Sequence, residues 1–386
     1  MLTFDPAMSR RPSQRIDRVV LIGPVFPFRG GIAQHTTMLH RVISESSQCL
    51  TISFKRQYPR LLFSGRSDKD ESQRGYCEPG VEYVIDSLNP LTWNHAVKIV
   101  RAFRPSVVVF PWWHVYWTPC FTWLARQLRR SNIEVVYLCH NVIPHEVGFW
   151  TRTLCRIALS AASRYVVHTQ TDKKDVLSFF PDARVSVHPL PVFSHFPQPE
   201  VFLPRRGQLE LLFFGFVRPY KGLDVLLEAF RLLKDESVFL SIVGELWCDS
   251  DQVFQYIKNY GLEHKIEVVG RYVADIEAAS YFARCDVVVL PYRNATGSAV
   301  IPLSYHYGKP VIATRVGGLP EAVVERVTGI LVDPGSSEQL AEAVRCFLCG
   351  QVQINHMAID DMRKRFSWEG LVSVVLGDEE EIYGRE

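Results

Sequence analysis

The first candidate for chemistry is a loop of small and hydroxyl-bearing residues: Thr296, Gly297, Ser298 and Ala299. The apolar run 287–290 precedes it and predicts a buried strand, and the residues after it predict a helix that ends near Gly308. Backbone N–H groups at the start of a helix lack partners within the helix and attract anions. The loop therefore predicts a phosphate site, with an ordinary capped helix as the alternative.

Two cations form the second candidate. Arg218 and Lys221 stand between a predicted strand, "LELLFF", and an amphipathic helix, "LDVLLEAFRLL". Cations beside a helix N-terminus bind phosphate more strongly than glycine-rich backbone does. Near the start of the chain, Gly30 and Gly31 link another predicted strand to a helix and would let a ligand approach the backbone closely; a tight turn is the alternative.

His140 directly follows the predicted strand "IEVVYLC". Open α/β sheets bind their ligands at the carboxyl ends of strands, which is where this histidine stands. A polar residue that ends an apolar run at this place favours a catalytic role over a core histidine.

Residues that would contact a second substrate follow two other strands of the first half. Cations and a tyrosine open a long polar loop, and aromatic residues follow the strand "SVVVF". Cations would bind an anionic group, and aromatic rings would stack on a sugar. Solvated charges and core packing are the alternatives for this set: Lys55, Arg56, Tyr58, Trp112, Trp113 and His114.

Alternating strands and helices predict an α/β fold, and 386 residues exceed what one core usually holds. We expect two Rossmann-like domains, at 18–188 and 207–365, joined by a linker at 189–206 in which prolines are frequent. Residues 1–17 predict a disordered lead-in without the apolar core of a signal peptide. Residues 366–386 predict a helix that crosses back onto the first domain.

Composition narrows the function. The apolar share of 47% is ordinary for a globular protein, and a net charge of +2 argues against a dedicated nucleic-acid binder. Nine scattered cysteines predict reduced thiols and a cytoplasmic location. The pair Cys346 and Cys349 has metal-ligand spacing but lies in a helical pattern without a second pair, which favours packing.

The motifs "GFVRPYKG" and "GKPVIATRVGGLPE", with the early Gly-Gly loop and the mid-domain histidine, resemble the GT-B glycosyltransferases, in particular the GT4-like retaining group (glycosyl transferases group 1). The resemblance covers roughly 18–368 and is most specific in the second half. It implies two Rossmann-like domains that face each other across a cleft. It also implies transfer of a sugar, with retention of configuration, from a nucleotide-sugar to a glycan, lipid-linked or small-molecule acceptor.

The resemblance also implies roles for single residues. Arg218 and Lys221 match the family's diphosphate clamp, residues 296–299 its phosphate loop, and His140 its histidine near the transferred sugar. Gly30 and Gly31 match the loop that closes the cleft. Because two cations would offset the charge of the leaving diphosphate, neither a metal nor another cofactor is expected.

Three positions depart from the family pattern. Phe216 stands where the family usually places the arginine of its clamp, so Arg218 would substitute for it. Ala295 and Leu303 stand where the family has a pair of glutamates, the second of which ordinarily holds the ribose hydroxyls. The identity of the nucleotide is therefore open, and the sequence indicates a variant subgroup.

Other functions remain possible. The triplet Asp249–Asp251 has the letters of a metal-dependent transferase motif, but its position favours a helix N-cap. An epimerase or phosphorylase on the same plan, or a scaffold that has lost catalysis, are further alternatives.

A last prediction concerns membranes. The helix at 121–131 combines Phe121, Trp123, Leu124 and Leu128 with Arg126, Arg129 and Arg130. An interfacial helix of this kind would give a peripheral contact with the inner membrane face. An ordinary surface helix that packs on the sheet is the favoured alternative.

Overall fold

The computed structural model describes residues 18–59, 69, 77–143, 150–191 and 197–377. They form two compact units. Unit 1 holds the described residues up to Val166, then Phe179–Ser186 and the described residues from Val372. Unit 2 holds Val167–Ser178 and the described residues of Val187–Leu371. The predicted lead-in and parts of the predicted linker, polar loop and tail lie outside the described residues.

Unit 1 is built on a seven-stranded sheet with the order β3-β2-β1-β4-β5-β6-β7. Its strands are β1 (Arg18–Ile22), β2 (Gln48–Arg56), β3 (Val81–Asp86), β4 (Val107–Trp112), β5 (Glu134–Cys139), β6 (Arg164–Val167) and β7 (Val185–Val187). Its helices are α1 (Gly31–Ser46), α2 (Pro90–Phe103), α3 (Thr118–Arg129) and α4 (Thr151–Leu159).

Unit 2 has a six-stranded sheet with the order β10-β9-β8-β11-β12-β13. Its strands are β8 (Leu209–Phe214), β9 (Val238–Val243), β10 (Ile266–Val269), β11 (Val287–Leu290), β12 (Val311–Thr314) and β13 (Gly329–Val332). Its helices are α6 (Leu223–Leu232), α7 (Ser250–Asn259), α8 (Asp275–Arg284), α9 (Val300–His306), α10 (Ser337–Leu348) and α11 (His356–Arg365). Helices α5 (Gln170–Phe179) and α12 (Trp368–Leu376) contribute residues to both units.

The central strands form where the sequence has short runs of valine, isoleucine and leucine. Every residue of β4 and of β11 is buried, as expected of parallel strands covered by helices on both faces. The pairs β1–β4 and β8–β11 are parallel, so the loops that follow these strands leave their sheets at the carboxyl edge. The predicted α/β class with two parallel sheets is confirmed.

The end of α12 is fixed within unit 1 by a buried arginine. Arg164 Nη1 donates to the carbonyl oxygen of Val374 at 3.0 Å, and Nη2 donates to that of Val375. The same guanidinium forms an ion pair with Glu134 at 2.8 Å. One side chain of β6 therefore joins α12 to the start of β5.

Candidate functional site

Lys221 lies in a sharp turn at the carboxyl end of β8. A 3₁₀ turn, Pro219–Lys221, follows β8, and glycines stand on both sides of it. Gly215 has φ +95° and Gly222 has φ +68°, a region that glycine adopts at little cost. Gly222 is also the N-cap residue of α6, so the helix begins two residues after Lys221.

The ammonium group of Lys221 is buried without an acidic partner. The residue is 8% exposed, and in the described part of the chain its side chain makes no ion pair. Its Nζ lies 5.5 Å from the centre of the Tyr292 ring. Burial, with a smaller contribution from the neighbouring Arg218, lowers the pKa of Lys221 to about 8. A buried cation that is desolvated and repelled by a second cation is a strong site for an anion.

Arg218 is held by an exposed aromatic pair. Its guanidinium lies over the Trp247 ring at 4.6 Å, and Trp247 contacts Phe216 with 5.4 Å between ring centres. Phe216 is 39% and Trp247 45% exposed. The loops that carry them are paired, since Trp247 N donates to Val217 O at 2.9 Å. Phe216, which stands where the family usually has an arginine, thus helps to form the aromatic surface that orients Arg218.

The turn of Lys221 is joined to the loop after β11. Arg293 N donates to Tyr220 O at 2.7 Å, and the Arg293 side chain forms an ion pair with Asp224 in the first turn of α6. A Cβ at Gly222 would overlap the carbonyl oxygen of Pro291. The two predicted anion-binding segments therefore meet at one edge of the unit 2 sheet.

Within the predicted phosphate loop, Ser298 is the residue that connects to Lys221. Its hydroxyl accepts from Val300 N at 3.2 Å and lies 3.5 Å from the hydroxyl of Tyr292, the residue beneath the Lys221 ammonium. Burial raises the pKa of Tyr292 to about 12, so this hydroxyl stays protonated. Helix α9 begins at Val300 and has only 7 residues, so Lys221 and Arg218 supply most of the positive potential.

A Gly-Gly turn braces the phosphate loop from behind. Gly318 N donates to Thr296 O at 2.9 Å, and a Cβ at Gly317 would overlap the carbonyl oxygen of Ala295. Further along this segment, the Glu321 carboxylate accepts from Gln170 N at 2.9 Å at the start of α5. The backbone of the loop is therefore fixed by close packing as well as by its own turn.

This packing predicts a large effect on stability. Gly317→Ala is expected to lower the free energy of unfolding by more than about 3 kcal/mol, because the added methyl group meets a backbone oxygen. Gly335→Ala is the matched control, since Gly335 also has positive φ, +80°, but open space around its Cβ. It should cost only about 1–2 kcal/mol. Thermal unfolding of both variants measures the difference, and equal losses would contradict the brace.

The two family glutamates are replaced by core residues. Ala295 and Leu303 are each 4% exposed and belong to the hydrophobic core of unit 2. Their burial means that the structure has adapted to apolar residues at these positions. Any ribose recognition in unit 2 must use other groups.

In unit 1, His140 lies at the end of β5 as the sequence predicts, and a second histidine contacts it. His140 N donates to Trp112 O at 2.8 Å, which fixes the backbone at the carboxyl edge of the sheet. The ring of His35, from α1, meets the ring of His140 edge to face with 4.5 Å between centres. His35 is 1% exposed. No sequence motif singles out His35, although a histidine five residues after Gly30 is a polar residue on the helix that the Gly-Gly loop starts.

Gly30 and Gly31 are exposed, and a Cβ at either would meet nothing within 4 Å. Gly30 has φ +103° and precedes the first residue of α1. The backbone at this helix start is therefore accessible, and a side chain at Gly30 would strain it.

The predicted second-substrate residues divide into three groups. The prediction that Trp112 contacts the second substrate is wrong, because Trp112 is the last residue of β4 and is fully buried. Arg56 forms an ion pair with Asp86 at 2.7 Å, while Lys55 and His114 are exposed. The Tyr58 hydroxyl accepts from Trp113 Nε1 at 3.2 Å, and burial raises its pKa.

Two other interpretations are resolved. Asp249 is the N-cap of α7 and accepts from Asp251 N at 3.1 Å and Gln252 N at 3.3 Å, as predicted for a capping residue. All nine cysteines are free thiols; Cys346 is buried, as packing requires, whereas Cys349 is exposed.

Helix α3 does not present an apolar face to a membrane. Phe121, Leu124 and Leu128 are fully buried in unit 1, so the interfacial-helix hypothesis is wrong for these residues. Across the described residues, no helix is both long and apolar enough to cross a bilayer.

The fold defines a class of protein. The chain has the GT-B fold: a structure of Anabaena Alr3699/HepE in complex with UDP matches it with a TM-score of 0.70 and 18% identity, over 95% of this chain and all of that one. A glycosyltransferase from Rickettsia africae matches with a TM-score of 0.73 and 16% identity, over 97% of this chain and 100% of that one.

The sequence of unit 2 matches a family model. Residues 208–349 match Glycosyl transferases group 1. An uncharacterized glycosyltransferase of Methanocaldococcus jannaschii is 30% identical over 42% of this chain and 45% of its own length. A GDP-mannose:glycolipid 4-beta-D-mannosyltransferase of Xanthomonas campestris is 30% identical over 50% of this chain and 54% of its own length. The chain thus spans about half the length of these relatives.

Proposed function

We propose that this protein is a retaining glycosyltransferase that moves a sugar from a nucleotide-sugar to a hydroxyl group of an acceptor, without a metal. The observation that carries the proposal is Lys221, a buried ammonium without an acidic partner in the described residues, next to Arg218. A buried lysine without an ion-pair partner does not stabilise the fold, whereas a bound diphosphate would neutralise its charge. The names of the family and of both relatives support the reaction class.

In this proposal unit 2 binds the donor diphosphate. The lysine and arginine lie at the carboxyl edge of the sheet, where nucleotides bind to folds of this type. As the sugar departs, negative charge builds on the leaving phosphate, and two preorganised cations stabilise that charge. The hydroxyl of Ser298 and the backbone of residues 296–299 add donors that need no reorganisation.

His140 is the proposed catalytic residue. We assign it a contact with the transferred sugar, with His35 holding its ring in place. The reaction needs no enzymic nucleophile if the leaving phosphate oxygen takes the proton of the incoming hydroxyl on the same face of the sugar, which also retains the configuration. The atoms balance in a single step: the glycosidic bond to the acceptor forms, the bond to the diphosphate breaks, and the proton ends on the diphosphate.

For the acceptor we propose a sugar-containing or lipid-linked molecule bound by unit 1. Tyr58, Trp113 and the exposed His114 follow the carboxyl ends of β2 and β4, and the exposed Lys55 is the second-last residue of β2. Half-buried aromatic residues with a fixed hydroxyl suit the apolar face of a sugar ring. A cytoplasmic location fits a nucleotide-sugar donor.

Calorimetric titration with UDP, GDP, ADP and dTDP, each with and without EDTA, tests the proposed donor. We expect one nucleotide to bind with micromolar Kd, unchanged by EDTA. Loss of binding in EDTA would reject the metal-free site. Binding of none of the four would reject the nucleotide-sugar donor altogether.

A scaffold without catalysis is the second candidate, favoured by the burial of Ala295 and Leu303 where the family has glutamates. Incubation with UDP-glucose and GDP-mannose separates the two functions, because an active enzyme slowly transfers sugar to water and releases the nucleoside diphosphate. Nucleotide binding without any release, with or without acceptor sugars, would favour the scaffold.

The aromatic support of Arg218 gives a further prediction. Trp247→Leu is expected to weaken nucleoside diphosphate binding by about 0.5–1 kcal/mol, because Arg218 loses the ring that orients it. Tyr260→Leu is the matched control: Tyr260 is 49% exposed and lies 5.7 Å from the guanidinium of Arg231, outside the proposed site. Calorimetry should show unchanged affinity for the control, and an equal loss in both variants would contradict a specific role for Trp247.

A further inference from the structure

Three helices of unit 1 form one layer whose outer surface is basic. The path β3–α2–β4–α3–β5–α4–β6 moves in one direction along the sheet, and right-handed crossovers place α2, α3 and α4 on the same face. Side chains join the layer: Arg101 Nε donates to Ser131 Oγ at 2.9 Å, and Arg129 Nη1 donates to Ala162 O at 3.2 Å. The three helices thus present a continuous surface.

This surface, the basic face, is defined by seven exposed cations: Lys98, Arg101, Arg126, Arg129, Arg130, Arg152 and Arg156. The segments 87–133 and 150–163 contain no aspartate or glutamate. Of the ion pairs in the described part of the chain, none includes any of the seven. Since Lys and Arg (43) nearly balance Asp and Glu (41) over the whole chain, this local excess does not follow from overall composition.

Four of these cations do not stabilise the fold through any side-chain interaction with the described residues. The side chains of Lys98, Arg126, Arg130 and Arg156 make no hydrogen bond, ion pair or ring contact with the described residues. Uncompensated like charges on one surface repel each other and are ordinarily interspersed with acidic residues. Their accumulation without use in the fold indicates an anionic partner that covers an area rather than a single pocket.

We propose that the basic face docks this protein on a membrane leaflet rich in anionic phospholipids. The cations are distributed over three helices, which suits an extended surface of phosphate groups. Next to Arg152 and Arg156, the N-cap residue Trp150 (67% exposed) and Ile157 of α4 (42% exposed) are an aromatic and an aliphatic side chain of the kind that enters the interfacial region. Because the apolar residues of α3 are in the core, the attraction is electrostatic and does not require insertion of a helix.

Sedimentation with lipid vesicles tests the basic face. Full-length protein is mixed with phosphatidylcholine vesicles that contain or lack phosphatidylglycerol. We expect binding to the anionic vesicles only, and its loss at high salt, because the charges are exposed and screened. Lys98→Gln/Arg126→Gln/Arg130→Gln/Arg156→Gln should weaken binding about fivefold per charge, or roughly a hundredfold or more in total.

The matched control removes four charges elsewhere. Lys174→Gln/Lys234→Gln/Lys258→Gln/Arg326→Gln changes exposed residues outside the basic face and produces the same change in net charge. It should bind anionic vesicles nearly as well as the natural protein. Equal losses in both variants, equal binding to neutral vesicles, or tighter binding of a uridine oligonucleotide than of vesicles would each overturn the proposal. Nucleotide titration of the same variants should be unchanged, so the outcome is independent of the proposed transfer reaction.

Discussion

His140→Ala is expected to lower kcat for sugar transfer by about 10²–10³-fold and to change the Kd for the nucleoside diphosphate by less than about threefold. The imidazole belongs to unit 1, whereas the proposed diphosphate contacts all belong to unit 2. Removal of a group that contacts the reacting sugar costs transition-state stabilisation, while the phosphate contacts persist. Single-turnover rates with a labelled donor, together with calorimetry, measure the two quantities separately.

Two further variants make this result specific. His140→Phe retains a ring against His35, so it preserves the edge-to-face contact of 4.5 Å but lacks the ring nitrogens. It should be folded and as slow as His140→Ala. His95→Ala, which removes an exposed histidine from α2, should leave kcat unchanged. If His140→Phe were active, or if His140→Ala lost nucleotide affinity in parallel with kcat, the catalytic role would be wrong.

The fold could be predicted because its signals are local. Buried runs such as those of β4 and β11 predict strands without knowledge of their neighbours, and the helices between them predict parallel sheets. An amphipathic pattern predicts a helix, but it does not show which surface the apolar side of that helix contacts. The stripe of α3 looks the same whether it faces lipid or the sheet, and only its position in the layer shows that Leu124 and Leu128 are in the core.

The site could be predicted only where its residues are neighbours in sequence. Arg218 and Lys221 are three residues apart in the sequence, and both lie after β8 in the structure. The groups that orient them come from other loops: Tyr292 lies beneath Lys221, and Trp247 lies beneath Arg218. Such contacts depend on which strands are adjacent, here β8 with β9 and β11, and no local pattern predicts them. Trp112 was misplaced for a related reason, because the sequence does not show that β4 continues to that residue.

Lys221 should reduce the stability of the protein while no ligand is bound. Its pKa is about 8 in the folded protein, against the ordinary lysine pKa of 10.5. Below pH 8 the lysine is charged in both folded and unfolded states, and the buried charge is fully penalised. Between pH 8 and 10.5 the unfolded chain binds more protons, so stability rises with pH and the penalty disappears. Lys221→Met should therefore stabilise the free protein at pH 7 by up to roughly 3 kcal/mol, and by less at pH 10.

The same variant should lose affinity for nucleotide. Lys221→Met and Lys221→Ala are expected to weaken nucleoside diphosphate binding by about 1.5–3 kcal/mol, the usual contribution of a hydrogen bond to a charged group. A gain in stability with a loss of binding is the signature of a residue kept for its ligand. Denaturation and calorimetry on one preparation measure both, and unchanged affinity would reject the assignment of Lys221 to the diphosphate site.

The pH dependence of nucleotide affinity is the sharpest test, because it follows from the burial of a single group. Between pH 7 and 8 the natural protein binds with Lys221 already charged, so the Kd should change little. Above pH 8 Lys221 loses its proton in the free protein but keeps it when the diphosphate is bound, so binding takes up a proton and affinity should fall by up to about tenfold per pH unit. Lys221→Met should show weak binding that is nearly independent of pH over the same range. An equally steep decline in that variant would mean that another group titrates and that Lys221 does not bind the diphosphate.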